Sequence, residues 1–118
     1  MSYTDLTYEQ VAEVISYDPD TGKFRWKERG AHLFPGQTAS LAEVWNHRFA
    51  DRPALFTKHR KGYRHGRVLG YTVFAHRVAW LLMTGAWPKG HVTHSNGDIK
   101  DNRWLNLLVS TENFLETA

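Results

Sequence analysis

Turn-forming residues recur at short intervals along this chain and limit the length of everything it can build. Gly, Pro, Asn and Asp gather in DPDTG (18–22), RKG (60–62), LG (69–70), TGAWPKG (84–90) and SNGD (95–98). Such clusters break helices and reverse strands. Short helices and strands fit between them. No apolar run reaches the roughly eighteen residues of a membrane helix, so no membrane span is expected. The opening MSYTDLTYEQ lacks the basic-then-apolar layout of a secretory leader, which predicts a cytoplasmic protein. The chain has 118 residues, 42% hydrophobic, which suits one compact domain with a modest core. It has no cysteine, which excludes disulfides, cysteine zinc sites and a thiol nucleophile.

The elements follow from local signals. Thr7 and Gln10 have capping-box spacing, Leu6 and Val11 that of a hydrophobic staple, and Val11, Val14 and Ile15 form an apolar stripe. The helix they open should stop before Pro19. DPDTG is a turn and KFRW after it a strand. Residues 29–39 read as a loop. Ser40 and Glu43 form a second capping box, opening a helix from Leu41 to about His47. Three strands are expected at 54–58, 62–68 and 70–74, with Tyr63, His65 and Arg67 on one face of the middle one and Arg64 on the other. His76–Gly85 reads as a helix with Val78, Leu81 and Leu82 inward and Gly85 as its stop. HVTH is extended, SNGD turns, and Asp101 caps a last helix from Asn102 to about Leu108. His76 reads as a cap or packing residue, His32, His47 and His59 as exposed. Trp26, Trp45, Trp80 and Trp87 read as core or core rim.

Charge is unevenly spread. The net is +3, yet residues 48–77 hold eight bases against one acid, and residues 1–20 hold five acids and no base. A local basic field attracts polyanions, nucleic acid first. Lys58, Arg60, Lys61, Arg64 and Arg67 are the contact candidates. They should supply phosphate affinity and salt dependence more than sequence readout.

The stretch VTHSNGDIKDNRWLN, Val92–Asn106, carries the chemistry. A neutral imidazole, with an ordinary pKa near 6.5, can take a proton from water. An Asn carbonyl can hold the ring in one tautomer. Phosphodiester hydrolysis also needs charge neutralised at the transition state, commonly by a divalent cation on oxygen ligands.

These residues resemble the HNH endonucleases of the phage and homing type, which have a ββα-metal fold. The motif appears as THSNGDIKDNRWLNL. YDPDTGKFRWKER, WNHRFADRPA and KGYRHGRVLGYTVFAHRVAWLLMTGAWP resemble segments upstream of it in small phage members, and the likeness covers about residues 17–113. It implies an α+β fold: a small three-stranded antiparallel sheet packed with helices, similar in pattern to the plant AP2-type DNA-binding sheet, then a C-terminal ββα-metal motif. The expected layout is one domain, 1–118, with an N-terminal helix and strand region at 1–53, the basic sheet and helix at 54–90 and the HNH motif at 91–113.

The resemblance also implies roles. His94 matches the general base, and Asn106, twelve residues on, the Asn that positions it. Asp101, Asn102 and Arg103 match a structural turn. The metal, Mg²⁺ or Mn²⁺, would be held by Thr93 and Asn113. Thr93 stands where the family normally has Asp, Asn113 comes about two residues early, and Leu108 replaces a usual Arg. Asp98, the nearest carboxylate, reads as turn-forming. The implied activity is metal-dependent hydrolysis of duplex DNA, nicking by a monomer. The alternative is a scaffold without catalysis that binds DNA or inhibits a protein partner. A plain AP2-like DNA binder would leave Val92–Asn106 without a purpose.

Overall fold

A computed structural model describes residues 2–110. Three helices, α1 (Tyr8–Val14), α2 (Ala39–Phe49) and α3 (Ala75–Thr84), are combined with three small antiparallel sheets. The first sheet joins β1 (Ile15–Asp18), β2 (Lys23–Trp26) and β3 (Pro53–Ala54). The second joins β4 (Thr57–Lys58), β5 (Arg64–Val68) and β6 (Tyr71–Phe74), and the third pairs β7 (His91–His94) with β8 (Leu107–Ser110). The fold is therefore α+β, as the family resemblance implies. No helix among the described residues is long and apolar enough to cross a membrane.

Helix α1 begins as its capping box requires. The Thr7 hydroxyl accepts from Gln10 N at 3.1 Å, and Gln10 Oε1 accepts from Thr7 N at 2.9 Å. The helix ends at Val14, earlier than Pro19 demands, because Ile15 turns extended and pairs with Trp26. Val11, Val14 and Ile15 are fully buried against α3, whose Val78, Ala79 and Leu81 face them. Each such side chain contributes about 1.5–3 kcal/mol through burial. Helix α3 stops at Gly85, which takes the left-handed conformation at φ 86°.

Three expectations need correction. Helix α2 starts at Ala39, not Leu41, with Thr38 at its N-cap. The Ser40–Glu43 box is not the cap, and the Thr38 hydroxyl donates to Pro35 O instead. The segment 54–58 is not one strand. Leu55 has φ 52°, which breaks the chain between β3 in one sheet and β4 in the next. That conformation costs about 1–2 kcal/mol for a non-glycine residue, and burial of Leu55 to 4% exposure offsets it.

The helix expected at Asn102–Leu108 does not form either. Asp101 caps nothing helical: Arg103 is extended at ψ 141°, one 3-10 turn covers Trp104–Asn106, and the chain then runs as β8. Pairing with β7 in the register Val92↔Val109 and His94↔Leu107 decides the outcome, burying Val92 and Leu107. These two strands are the ββ half of the expected ββα-metal motif. Residues 111–118, Asn113 among them, lie outside the described residues.

Candidate active site and nucleic-acid face

His94 ends β7 at the mouth of a tightly bonded turn. Gly97 N donates to His94 O at 2.9 Å, and Ser95 N donates to Asn106 O at 2.8 Å. The ring's hydrogen-bond partner is Asn102: His94 Nε2 lies 2.8 Å from Asn102 Oδ1. A carbonyl oxygen there holds the proton on Nε2 and leaves the Nδ1 lone pair for chemistry. Asn102 is 3% exposed, so the bond is shielded and its geometry fixed.

The assignment of Asn106 as the residue that positions His94 is therefore corrected. Asn106 faces the turn. Its Oδ1 accepts from Asn96 N at 3.0 Å, and its Nδ2 donates to Asn96 Oδ1 at 3.0 Å and Asp101 O at 2.9 Å. It ties the two ends of the SNGDIKD loop together, and Asn102 takes the place beside the ring. Both residues sit where the motif puts an Asn, and spacing alone does not separate their roles.

Asn102 is clamped from behind by the β1–β2 hairpin. The Tyr17 hydroxyl donates to Asn102 O, and Trp104 N donates to Pro19 O at 2.9 Å. Burial, then Asp18 and Asp101, raise the Tyr17 pKa, so the phenol stays a donor. Gly22, at φ 75°, lies against the same backbone. A Cβ there would sit 2.4 Å from Asn102 C.

Asp101 and Arg103 form a closed pair. Arg103 Nε and Nη2 donate to the Asp101 carboxylate at 2.8 and 2.7 Å, and Asn96 Nδ2 donates to it at 2.9 Å. The Arg103 hydrogen bond holds the Asp101 pKa below the usual carboxylate range.

His76 belongs to this site, although its position at a helix start reads as a cap or packing residue. Its ring centroid is 5.3 Å from that of His94 and 5.1 Å from that of Tyr63. It is 7% exposed, and its buried Nδ1 has no hydrogen-bond partner among the described residues. Burial first, then His94 and Arg77, push its pKa down to about 4. The next residue faces the other way. Arg77 donates to Tyr3 Oη at 2.7 Å, Gly90 O at 3.1 Å and Pro88 O at 3.3 Å. The His-Arg pair on α3 thus presents one side chain to the His94 turn and uses the other to anchor the connector entering β7.

The donor set does not suit a hard cation. Thr93 alternates with His94 along β7, so the two side chains point to opposite faces. The Thr93 hydroxyl donates to Leu108 O at 3.3 Å. The Asp101 carboxylate is engaged as above, and Asp98 Oδ1 accepts from Lys100 N at 3.0 Å. No three His, Asp or Glu side chains among the described residues gather into a metal-holding group. Mg²⁺ needs carboxylate or carbonyl oxygens in near-octahedral array, and these residues do not fit it.

The basic candidates divide. Lys58 lies exposed on β4, Arg60 and Lys61 in the turn after it, and Arg67 exposed on β5 with Nη2 donating to Gly70 O at 2.8 Å. Arg64 points the other way, into a cleft it shares with Lys23, Arg48, Arg52 and Lys100. Arg48 and Arg52 belong to the basic stretch 48–77, whereas Lys23 and Lys100 lie outside it and no local run marks them. His59, expected exposed, is half-buried, 5.1 Å from the rings of both His65 and Phe74.

Residues 73–113 match the HNH endonuclease family. That family generally uses a divalent metal and acts on DNA. Neither the comparison with curated proteins nor that with solved structures finds a match.

Proposed function

We propose that this chain is an HNH-type, DNA-directed phosphodiesterase in which His94 is the general base. The observation that carries the reading is the Asn102 Oδ1 contact on His94 Nε2, which frees Nδ1 to take a proton from water. Asn102 is the positioning residue, and the Tyr17–Gly22 hairpin holds Asn102 still. Lys58 and Arg67 on the second sheet, with Arg60 and Lys61 in the turn between its strands, supply contacts to duplex phosphates. One such centre cuts one strand, so the expected product is a nick.

Incubation of supercoiled plasmid with Mg²⁺ or Mn²⁺ tests this. Nicking by the wild type, reduced about 100-fold or more in His94→Ala, is expected of a lost general base. The second reading is a DNA-binding module without catalysis. The opposed Thr93 hydroxyl and the engaged Asp101 carboxylate favour it. Retained duplex binding without nicking in either metal selects that reading, and nicking gained in Thr93→Asp assigns the deficit to the missing carboxylate.

A further inference from the structure

A cleft of about 880 Å³ opens between the β1–β2 hairpin, the end of α2 and the loop leading to Asn102. Its floor is apolar: Phe24, Ala54 and Leu55 are each at most 4% exposed. Phe56 stands on its edge at 65% exposure, turned outward by the same left-handed step that buries Leu55. Its rim carries Lys23, Arg48, Arg52, Arg64 and Lys100. These five cations converge from separate segments, and none has a carboxylate partner among the described residues. The one acid on the lining, Asp98, has an oxygen engaged by Lys100 N.

We propose that this cleft binds single-stranded nucleic acid, with an unstacked base on Phe56 and the apolar floor and the flanking phosphates on the basic rim. Two features coincide there. Unpaired cations attract a polyanion, and an exposed aromatic face beside them suits a flat apolar group. A duplex offers the first but encloses its base faces, whereas a single strand offers both. An acidic peptide would meet the cations and leave the ring unused. Asn102 also lines the cleft, so a strand lying in it passes beside the residue that holds His94. The inference rests on the nucleic-acid reading above but concerns a different surface from Lys58 and Arg67.

Fluorescence anisotropy with a labelled oligothymidylate, the matching duplex and a polyglutamate competitor tests the site, using the full chain in chelator. Phe56→Ala should weaken oligothymidylate binding about tenfold or more, the effect of losing one stacking ring, while its thermal melt and duplex affinity stay at wild-type values. Arg52→Ala should lower affinity and flatten the salt dependence, and Arg67→Ala should spare the oligothymidylate. Undetectable oligothymidylate binding, or binding unchanged in both cleft variants, overturns the proposal. Displacement by polyglutamate with Phe56→Ala silent assigns the cleft to an acidic protein instead. Absent plasmid nicking with the Phe56 effect intact refutes the nuclease and leaves the strand site standing.

Discussion

Mild acid should destabilise this protein through His76. The ring is 7% exposed and packed among Tyr63, Phe74 and His94, with centroids 5.1, 5.6 and 5.3 Å away. Burial, then His94 and Arg77, lower its pKa from 6.5 to about 4. The folded value lies below the unfolded one, so added protons favour the unfolded chain. The stability at stake is fully present above about pH 6.5 and lost as pH falls towards 4. Each tenfold step in a protonation equilibrium is about 1.4 kcal/mol, so the window holds about 3 kcal/mol. That is a large share of the roughly 5–15 kcal/mol that holds an ordinary domain. Denaturant unfolding followed by Trp fluorescence, at pH values from about 7.5 to about 4 in chelator, measures it. His76→Phe keeps a ring in the packing and removes the proton site, so its stability should change far less across this window. Asp101, held below the usual range by Arg103, acts at lower pH and does not blur the comparison. Equal slopes for wild type and variant would refute the argument.

Three further perturbations separate the parts of the turn. Asn106→Ala removes three side-chain hydrogen bonds and should cost about 2–4 kcal/mol, read as a lower denaturation midpoint. Asn102→Ala should instead alter the His94 tautomer populations, read from imidazole ¹⁵N shifts, and a shift pattern unmoved in that variant counts against Asn102 as the ring's partner. Gly22→Ala places a Cβ 2.4 Å from Asn102 C at φ 75° and should destabilise by about 2–5 kcal/mol, from left-handed strain and overpacking together. An unchanged midpoint would show that the hairpin does not bear on the turn.

Local signals were legible and long-range ones were not. Thr7 and Gln10 announce α1 because a capping box closes within one turn, and Gly85 announces the end of α3 for the same reason. The split at Leu55 and the strand at Leu107–Ser110 depend on partners far along the chain, so capping and periodicity gave the wrong element in both places. The site divides in the same way. The motif singles out His94 and two asparagines. Which Asn meets the ring depends on how Arg103 extends and where Tyr17 reaches. His76 is unremarkable in sequence, because only the packing of α3 against the end of β7 brings it to His94.

The clamp on Asn102 bears on how portable the His94 turn is. The family match begins at residue 73, yet Tyr17, Pro19 and Gly22 grip the backbone that aims the residue beside the imidazole. A graft of residues 73–113 onto another scaffold would carry the motif's letters and leave behind the hand that steadies it. Mechanically the hairpin and the turn are one unit, joined through the Tyr17–Asn102 and Pro19–Trp104 hydrogen bonds.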